Sequence, residues 1–130
     1  MTQRDAALTI AARRFGDGAF EARLARLVAV KSTSHDAAFA SEITRYFTDE
    51  MTPWLRQLGF TVEIHPNPLP DVGPILLAER IEGPDLPCVV TYGHADTVLG
   101  MDDAWTRGAG PWTLQRDNDR WYGRGTADNK

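Results

Sequence analysis

The sequence has one cysteine, little excess charge and no long apolar run, and each of these absences excludes a class of protein. With Cys88 alone, no intramolecular disulfide can form, which fits a reducing cytoplasm. Fourteen basic and eighteen acidic residues are interspersed and give a formal charge of −4, so the chain lacks the basic surface of a nucleic-acid-binding protein. The apolar runs are far shorter than a membrane span, and the first residues lack a secretory pattern. We therefore expect a cytoplasmic protein that binds neither nucleic acid nor membrane.

The composition is that of an ordinary globular domain. The chain has 130 residues, of which 42% are hydrophobic and 25% charged, enough for one domain with its own core. Cys88 lies within an apolar segment. We therefore predict that it is a small buried hydrophobic residue rather than a nucleophile.

Two amphipathic helices are predicted in the first half of the chain. The first begins near Asp17 as its N-cap and ends around Lys31, with an apolar stripe of Phe20, Leu24, Leu27 and Val28. The second begins near Asp36 and has its own stripe, Phe39, Ile43, Phe47, Met51, Trp54 and Leu58. Pro53 should kink or restart this helix, with Thr52 capping the new turn. Gly59 should end it.

Strands are predicted after Gly59, at residues 60–65, 75–81, 88–92, 112–116 and 120–122. The turn between the second and third of these is short, so we expect them to be antiparallel neighbours. The last two should form a hairpin around Asp117-Asn118-Asp119. Helices followed by mostly buried strands predict a layered α/β domain in which helices pack on a sheet.

Two turns carry the residue types of a metal site. His94 follows the predicted strand 88–92, at the kind of strand end where open α/β sheets hold their ligands. Asp96 can accept the second N–H of the imidazole and so fix its tautomer. A His-x-Asp sequence alone is weak evidence, since a lone histidine at a strand end more often has a structural role. The turn at 123–125, with its two glycines, strengthens the metal interpretation because it presents Asp128, whose carboxylate can bridge two cations.

Other interpretations of these segments do not fit the sequence. A dinucleotide-binding turn needs a third glycine where Asp128 stands, and a phosphate-binding loop needs Gly-Lys-Ser/Thr, which is absent. The hairpin tip Asp117-Asn118-Asp119 lacks the alternating spacing of a calcium loop, because Trp121 falls where an oxygen ligand belongs.

Taken together, the motifs resemble a family of zinc-dependent amidohydrolases and exopeptidases. The family includes acetylornithine deacetylase, succinyl-diaminopimelate desuccinylase, aminoacylase, glutamate carboxypeptidase and carnosinase-type dipeptidases. Its pattern is His-x-Asp-x-Val, a Trp, a Pro followed by an aromatic residue, and Tyr-Gly-Arg-Gly-x-x-Asp-x-Lys. The matching segments are residues 93–98, Trp105, residues 110–112 and residues 121–130. The N-terminal half is also similar, with a leading amphipathic helix, Ser32-Thr33-Ser34 and a second helix that ends at Leu58-Gly59-Phe60.

The resemblance implies a role for each candidate site residue. His94 would be a terminal ligand of one metal, Asp128 the carboxylate that bridges two, and Asp96 the residue that orients His94. The cofactors would be two divalent ions, zinc or in its place cobalt or manganese. The peptide bond between Asp128 and Asn129 would be cis. Arg124 would either steady its turn through a salt bridge, the favoured alternative, or make a polar contact nearer the site.

The activity implied is hydrolysis of an amide or peptide bond, in a dipeptide or an N-acyl amino acid, by a metal-bridging water. The general base would be one glutamate of a Glu-Glu pair, which with the remaining ligands is expected beyond Lys130. The acidic residues Glu42, Glu50 and Glu63 precede the metal motifs and are not assigned to these roles. His35 and His65 are predicted to be surface residues.

Residues 1–130 are therefore expected to be the N-terminal part of a zinc-exopeptidase-like catalytic domain. The rest of that domain and an inserted dimerisation or lid domain would be absent from this chain. The chain alone should be inactive, and the full-length protein a homodimer. Two alternatives stay open: a naturally short, non-catalytic binding module that pairs its sheet edge with a partner, and the nonfunctional product of a truncated gene.

Overall fold

The structure, a computed structural model, describes residues 2–34 and 36–130 of the chain. Within these residues four α-helices come first and two small antiparallel sheets follow, which confirms the predicted α/β class. The helices are α1 (Gln3–Gly16), α2 (Ala19–Ala29), α3 (Ala40–Arg45) and α4 (Thr52–Gln57). The strands are β1 (Thr61–His65), β2 (Ile75–Glu79), β3 (Gln115–Asp117) and β4 (Arg120–Tyr122). In this part of the chain, no helix is long and apolar enough to cross a membrane.

Helix α1 is not predicted by the hydrophobic pattern, because it buries none of its residues. A capping box starts it instead. Thr2 Oγ1 accepts a hydrogen bond from the Asp5 backbone N–H at 3.2 Å, and Asp5 Oδ2 accepts one from the Thr2 N–H at 2.9 Å. Local hydrogen bonding rather than burial therefore defines the start of this helix.

Helix α2 is the first predicted helix, with shifted ends. Its N-cap is Gly18, not Asp17, because Gly18 adopts the left-handed φ of +81° that turns the chain out of α1. Asp17 still contributes, since its Oδ1 accepts a hydrogen bond from the Ala19 N–H at 3.0 Å. The predicted stripe is buried at Leu24, Leu27 and Val28, whereas Phe20 is about half exposed. Each such burial is worth about 1.5–3 kcal/mol.

The second predicted helix is a succession of helical pieces between residues 37 and 57. A 3₁₀ turn, Ala37–Phe39, leads into α3, and a π-helical segment, Tyr46–Met51, joins α3 to α4. Pro53 lies in the first turn of α4, where its missing N–H costs little. The prediction that Thr52 caps this turn is wrong. The π-helical segment keeps the backbone helical through Thr52, with φ −60° and ψ −50°, whereas an N-cap needs an extended conformation.

Strands β1 and β2 form an antiparallel hairpin in which Thr61 faces Glu79 and His65 faces Ile75. Gly59 precedes it with a φ of +85°, the left-handed conformation expected at a helix C-terminus. The two strands correspond to predicted strands 60–65 and 75–81. Their pairing differs from the prediction, because β2 pairs with β1 and not with residues 88–92.

Residues 88–92 form no strand in the described structure. The predicted strand and its predicted pairing with residues 75–81 are therefore both wrong. After β2, the Leu86 N–H donates to the Gly83 carbonyl at 3.3 Å in a turn, and neither of the described sheets includes residues 88–92. Val89, Val90 and Tyr92 are each more than 80% exposed. Cys88 is also exposed rather than buried. An apolar segment is buried only where a neighbouring element covers it, and none of the described residues does so here.

Strands β3 and β4 form the predicted second hairpin, shortened at its start to Gln115. Arg116 faces Trp121 across the pair, and Asn118 adopts a positive φ of +55° at the tip. Asparagine tolerates this conformation well in tight turns. The hairpin directs the chain from Tyr122 into the glycine-containing turn that holds Asp128.

The core lies between α2, the π-helical segment and the loop that carries His94. Leu27, Val30 and Tyr46 form its buried cluster. Partly buried Phe47, Met51 and Ala95 pack against this cluster. Because Ala95 lies between His94 and Asp96, the loop that carries these two residues is attached directly to the core.

Candidate functional site

The loop that carries His94 and Asp96 is fastened to residues 32–34, the segment that follows α2. The Thr97 N–H donates to the Ser32 carbonyl at 2.9 Å, within a parallel bridge between Thr33 and Thr97. The Ser32 hydroxyl donates to the Ala95 carbonyl at 2.7 Å. Ser32 and Thr33 are almost completely buried. The backbone on both sides of Asp96 is therefore held by a segment about sixty residues earlier in the sequence.

Both nitrogens of the His94 ring have carboxylate neighbours. Nδ1 lies 3.0 Å from the Asp96 carbonyl and 3.2 Å from Asp96 Oδ1. Nε2 lies 2.9 Å from Asp128 Oδ1. When the ring is protonated, Nδ1–H donates to the Asp96 oxygens and Nε2–H to Asp128 Oδ1. In the neutral ring only one of these nitrogens carries a proton, and a proton on Nδ1 leaves the Nε2 lone pair on the side of Asp128.

The electrostatics of the group follow from these contacts. Hydrogen bonding to the Asp128 carboxylate, and then to the Asp96 backbone, raises the pKa of His94 above its ordinary value. The Ser34 hydroxyl donates to Asp96 Oδ2 at 2.6 Å, and this bond is the main reason that the pKa of Asp96 is lowered. The Asp128 side chain is 83% exposed, so the His94–Asp128 pair is open to solvent.

Asp128 is presented by the turn that follows β4. The Arg124 N–H donates to the Pro111 carbonyl at 2.6 Å, the Thr126 N–H to the Gly123 carbonyl at 3.2 Å and the Lys130 N–H to the Gly125 carbonyl at 2.9 Å. Gly125 has a φ of +88°, as a tight turn requires. The peptide bond between Asp128 and Asn129 is cis, as the resemblance implied.

Arg124 and Lys130, which flank this turn, make structural contacts. Arg124 Nη2 donates to the Gly100 carbonyl at 2.9 Å, and its guanidinium lies over the Trp105 ring at 5.5 Å. These contacts fit the first alternative for Arg124, that it steadies its turn. Its partners are a carbonyl and a ring, however, and not the carboxylate of a salt bridge. Lys130 is largely buried, and burial lowers its pKa to about 8.

An open cleft of about 350 Å³ separates the two loops. His94 and Asp96 line one wall, and residues 123–128 line the other. The cleft is large enough for several water molecules or a small ligand group. Both candidate ligands therefore face the same solvent-filled space.

Among the described residues, His65 and the acidic residues considered above, Glu42, Glu50 and Glu63, are not part of the lining of this cleft. His65 is exposed on β1 and pairs with Glu63 at 2.9 Å. Glu42 pairs with Arg45, and Glu50 pairs with Arg23 and Arg26. His35, predicted to be a surface residue, lies outside the described residues.

Comparisons with known proteins found relatives of this chain both in sequence and in structure. No protein-family model matches the chain. It is 34% identical over 105 residues to the acetylornithine deacetylase of Erwinia tasmaniensis, covering 81% of this chain and 26% of that protein. It is 40% identical over 85 residues to the Beta-Ala-His dipeptidase of Mus musculus, covering 58% of this chain and 17% of that protein. The crystal structure of human carnosine dipeptidase 1 superposes with a TM-score of 0.72 at 30% identity, covering 85% of this chain and 25% of that one.

The chain belongs to the family of acetylornithine deacetylases and carnosinase-type dipeptidases. It corresponds to the N-terminal portion of these proteins and spans about a quarter of the length of the acetylornithine deacetylases that it matches. The relatives carry the names of hydrolytic enzymes, a deacetylase and dipeptidases.

The separation of the two candidate donor atoms is compatible with a shared metal ion. Two ligands at about 2.0–2.2 Å from one tetrahedral zinc ion lie about 3.3–3.6 Å apart. His94 Nε2 and Asp128 Oδ1, 2.9 Å apart, would need only a small outward shift to reach that separation. Among residues 2–34 and 36–130, however, no group of three or more His, Cys, Asp or Glu side chains could hold a metal ion. The described residues thus bring two candidate donors together without a third.

Sequence reasoning did not assign Ser32, Ser34 or Lys130 to the site. Lys130 Nζ donates to the Ser32 hydroxyl at 2.6 Å and to the Val30 carbonyl at 2.8 Å, so it links the Asp128 turn to the segment that supports His94. Three consecutive hydroxyl residues after an amphipathic helix were the available signal. Their distant partners could not be identified from the sequence, because these contacts span more than sixty residues.

Proposed function

We propose that residues 1–130 form the N-terminal part of the catalytic domain of a metal-dependent hydrolase. Its substrates would be small molecules with an amide or peptide bond, such as a dipeptide or an N-acyl amino acid. The observation that carries the proposal is the 2.9 Å approach of His94 Nε2 to Asp128 Oδ1, across 34 residues of sequence, with Asp96 on the other ring nitrogen. The names of the relatives, a deacetylase and dipeptidases, supply the reaction class.

In this proposal each of the three side chains has its own role. His94 would hold one divalent ion through Nε2, and the Asp128 carboxylate would be shared by that ion and a second one. Asp96 fixes the ring of His94 by accepting from Nδ1–H. Two zinc ions, or cobalt or manganese ions in their place, would when bound lower the pKa of water and polarise the scissile carbonyl. The open cleft of about 350 Å³ admits the reacting end of a substrate beside these residues.

The chain matches only about a quarter of the acetylornithine deacetylases, so the rest of the machinery would belong to further parts of a longer polypeptide. These parts would hold the general-base glutamate, the remaining ligands and the inserted dimerisation or lid domain. The 130-residue chain alone should accordingly not hydrolyse N-acetylornithine or β-alanyl-histidine. A longer polypeptide from the same gene, containing a Glu-Glu pair and a late histidine, should hydrolyse one substrate of these classes. Failure of such a polypeptide on a panel of dipeptides and N-acyl amino acids would contradict the proposed reaction class.

A direct test of the metal site uses the 130-residue chain and isothermal titration with Zn²⁺. His94→Ala should weaken the tightest zinc binding at least about tenfold, since it removes one of two protein ligands. Asp128→Asn should do the same. His65→Ala is the matched control, because His65 also lies 2.9 Å from a carboxylate yet faces solvent on β1. Equal losses for His94→Ala and His65→Ala would show that zinc binds to exposed histidines without a defined site.

A cytoplasmic location and a homodimeric full-length protein are further parts of the proposal. The single cysteine is compatible with a reducing compartment, and the dimer follows from the family resemblance. Cell fractionation and light scattering of the longer polypeptide would test these two points.

A further inference from the structure

The hydroxyl of Ser34 is hydrogen-bonded to the Asp96 carboxylate, beside His94. Ser34 Oγ donates to Asp96 Oδ2 at 2.6 Å, while Asp96 Oδ1 lies 3.2 Å from His94 Nδ1. The two oxygens of one carboxylate are thus divided between a hydroxyl and an imidazole. With Oδ2 held by Ser34, rotation of the carboxylate about its Cβ–Cγ bond is restricted, and Oδ1 stays directed at the ring.

The restraint matters because both Asp96 and His94 are partly exposed to solvent. The Asp96 side chain is 38% exposed and the His94 side chain 33% exposed, so water competes for both. A carboxylate that turned towards water would leave the His94 ring held by the Asp96 carbonyl alone. The short bond from Ser34 opposes that rotation.

Ser34 is itself held in place by the segment to which it belongs. Ser32, two residues earlier, is fully buried and accepts a hydrogen bond from Lys130 Nζ at 2.6 Å. The same Ser32 hydroxyl donates a hydrogen bond to the Ala95 carbonyl at 2.7 Å. This chain of hydrogen bonds joins the Asp128 turn, through Lys130, to the backbone between His94 and Asp96. Ser34 thus projects from a segment that is fixed to both loops of the site.

A purely local role for these hydroxyls does not fit their partners. Serines after a helix commonly bond to nearby backbone groups and so end the helix. Here Ser32 and Ser34 direct their side chains to residues 63 and 62 positions away. Both partners, Ala95 and Asp96, lie in the His94 loop.

We propose that Ser34 is a positioning residue that acts through Asp96 to fix the ring orientation and tautomer of His94. The inference rests on the proposed function, in which His94 binds metal through Nε2. Ser34 touches neither substrate nor metal. Ser34 sets the orientation of Asp96, and Asp96 in turn orients His94.

The test compares Ser34→Ala with Ser34→Thr, which restores the hydroxyl at an exposed position. Ser41→Ala, on the exposed face of α3, controls for loss of a surface hydroxyl. The first readout is the tautomer of His94 in the metal-free 130-residue chain, from long-range ¹H–¹⁵N spectra at one pH where the imidazole is neutral. The second is Zn²⁺ affinity by titration calorimetry.

Ser34→Ala should lower the share of the Nδ1–H tautomer and weaken zinc binding about threefold to tenfold, somewhat less than loss of a direct partner of a ligand. Ser34→Thr and Ser41→Ala should match the unmodified chain in both readouts. An unchanged tautomer in Ser34→Ala, or a failure of Ser34→Thr to restore it, would overturn the inference. If zinc binding proves independent of His94, the proposed metal site fails, whereas the tautomer readout still decides the role of Ser34.

Discussion

Replacing Gly125 with alanine should destabilise the chain much more than the same replacement at Gly18. Both glycines adopt left-handed conformations, with φ of +88° and +81°. A Cβ at position 125 would lie 2.5 Å from Lys130 Cγ and 3.0 Å from Thr97 Cγ2, whereas one at position 18 would meet nothing within 4 Å. Lys130 cannot swing aside easily, because its Nζ is bonded to Ser32 and Val30.

The two substitutions share one energetic cost and differ in another. Forcing alanine into the left-handed region costs about 1–2 kcal/mol at either position. Crowding against fixed neighbours adds about 1–3 kcal/mol at position 125 alone. We therefore expect a total loss of about 2–5 kcal/mol for Gly125→Ala and about 1–2 kcal/mol for Gly18→Ala.

Urea unfolding followed by circular dichroism measures this difference. With a slope of about 2 kcal/mol per molar urea, the crowding should lower the midpoint of Gly125→Ala by about 0.5–1.5 M more than that of Gly18→Ala. A double-mutant cycle with Lys130→Ala, which removes the nearest atom, should recover part of the loss. Equal midpoints for Gly125→Ala and Gly18→Ala would refute the close approach of the Asp128 turn to Lys130 and Thr97.

Two further predictions concern the core and the buried lysine. Leu27 is 8% exposed, so Leu27→Ala should lower the free energy of unfolding by about 2–5 kcal/mol. Leu8 is 56% exposed, so Leu8→Ala should change it by less than about 0.5 kcal/mol. Similar urea midpoints for the two variants would contradict the described core. Burial lowers the pKa of Lys130 from 10.5 to about 8, so between these pH values the unfolded chain binds more protons and stability should rise with pH. Lys130→Met should abolish most of that rise, and a parallel pH profile for the two proteins would show that Lys130 is not buried as described.

Local sequence patterns predicted where helices and strands occur more successfully than which strands pair with each other. The stripe at Leu24, Leu27 and Val28 identified helix α2, and Gly59 marked the end of the second helical region, because these signals depend on near neighbours. Helix α1 lacked such a stripe and depends on the capping box of Thr2 and Asp5. The pairing of β2 could not be predicted, since it depends on competition between distant segments for the same edge.

The sequence by itself determined the residue types of the candidate site and the family to which the chain belongs. His94, Asp96 and Asp128 stand in a characteristic order, and glycines at fixed positions allow the turns that carry them. The tertiary structure alone decided that β1 pairs with β2, that residues 88–92 are left exposed, and that Ser34 and Lys130 support the loops of the site. The physical reason is range: turn and helix preferences act over a few residues, whereas pairing and support contacts form only after the whole chain has folded.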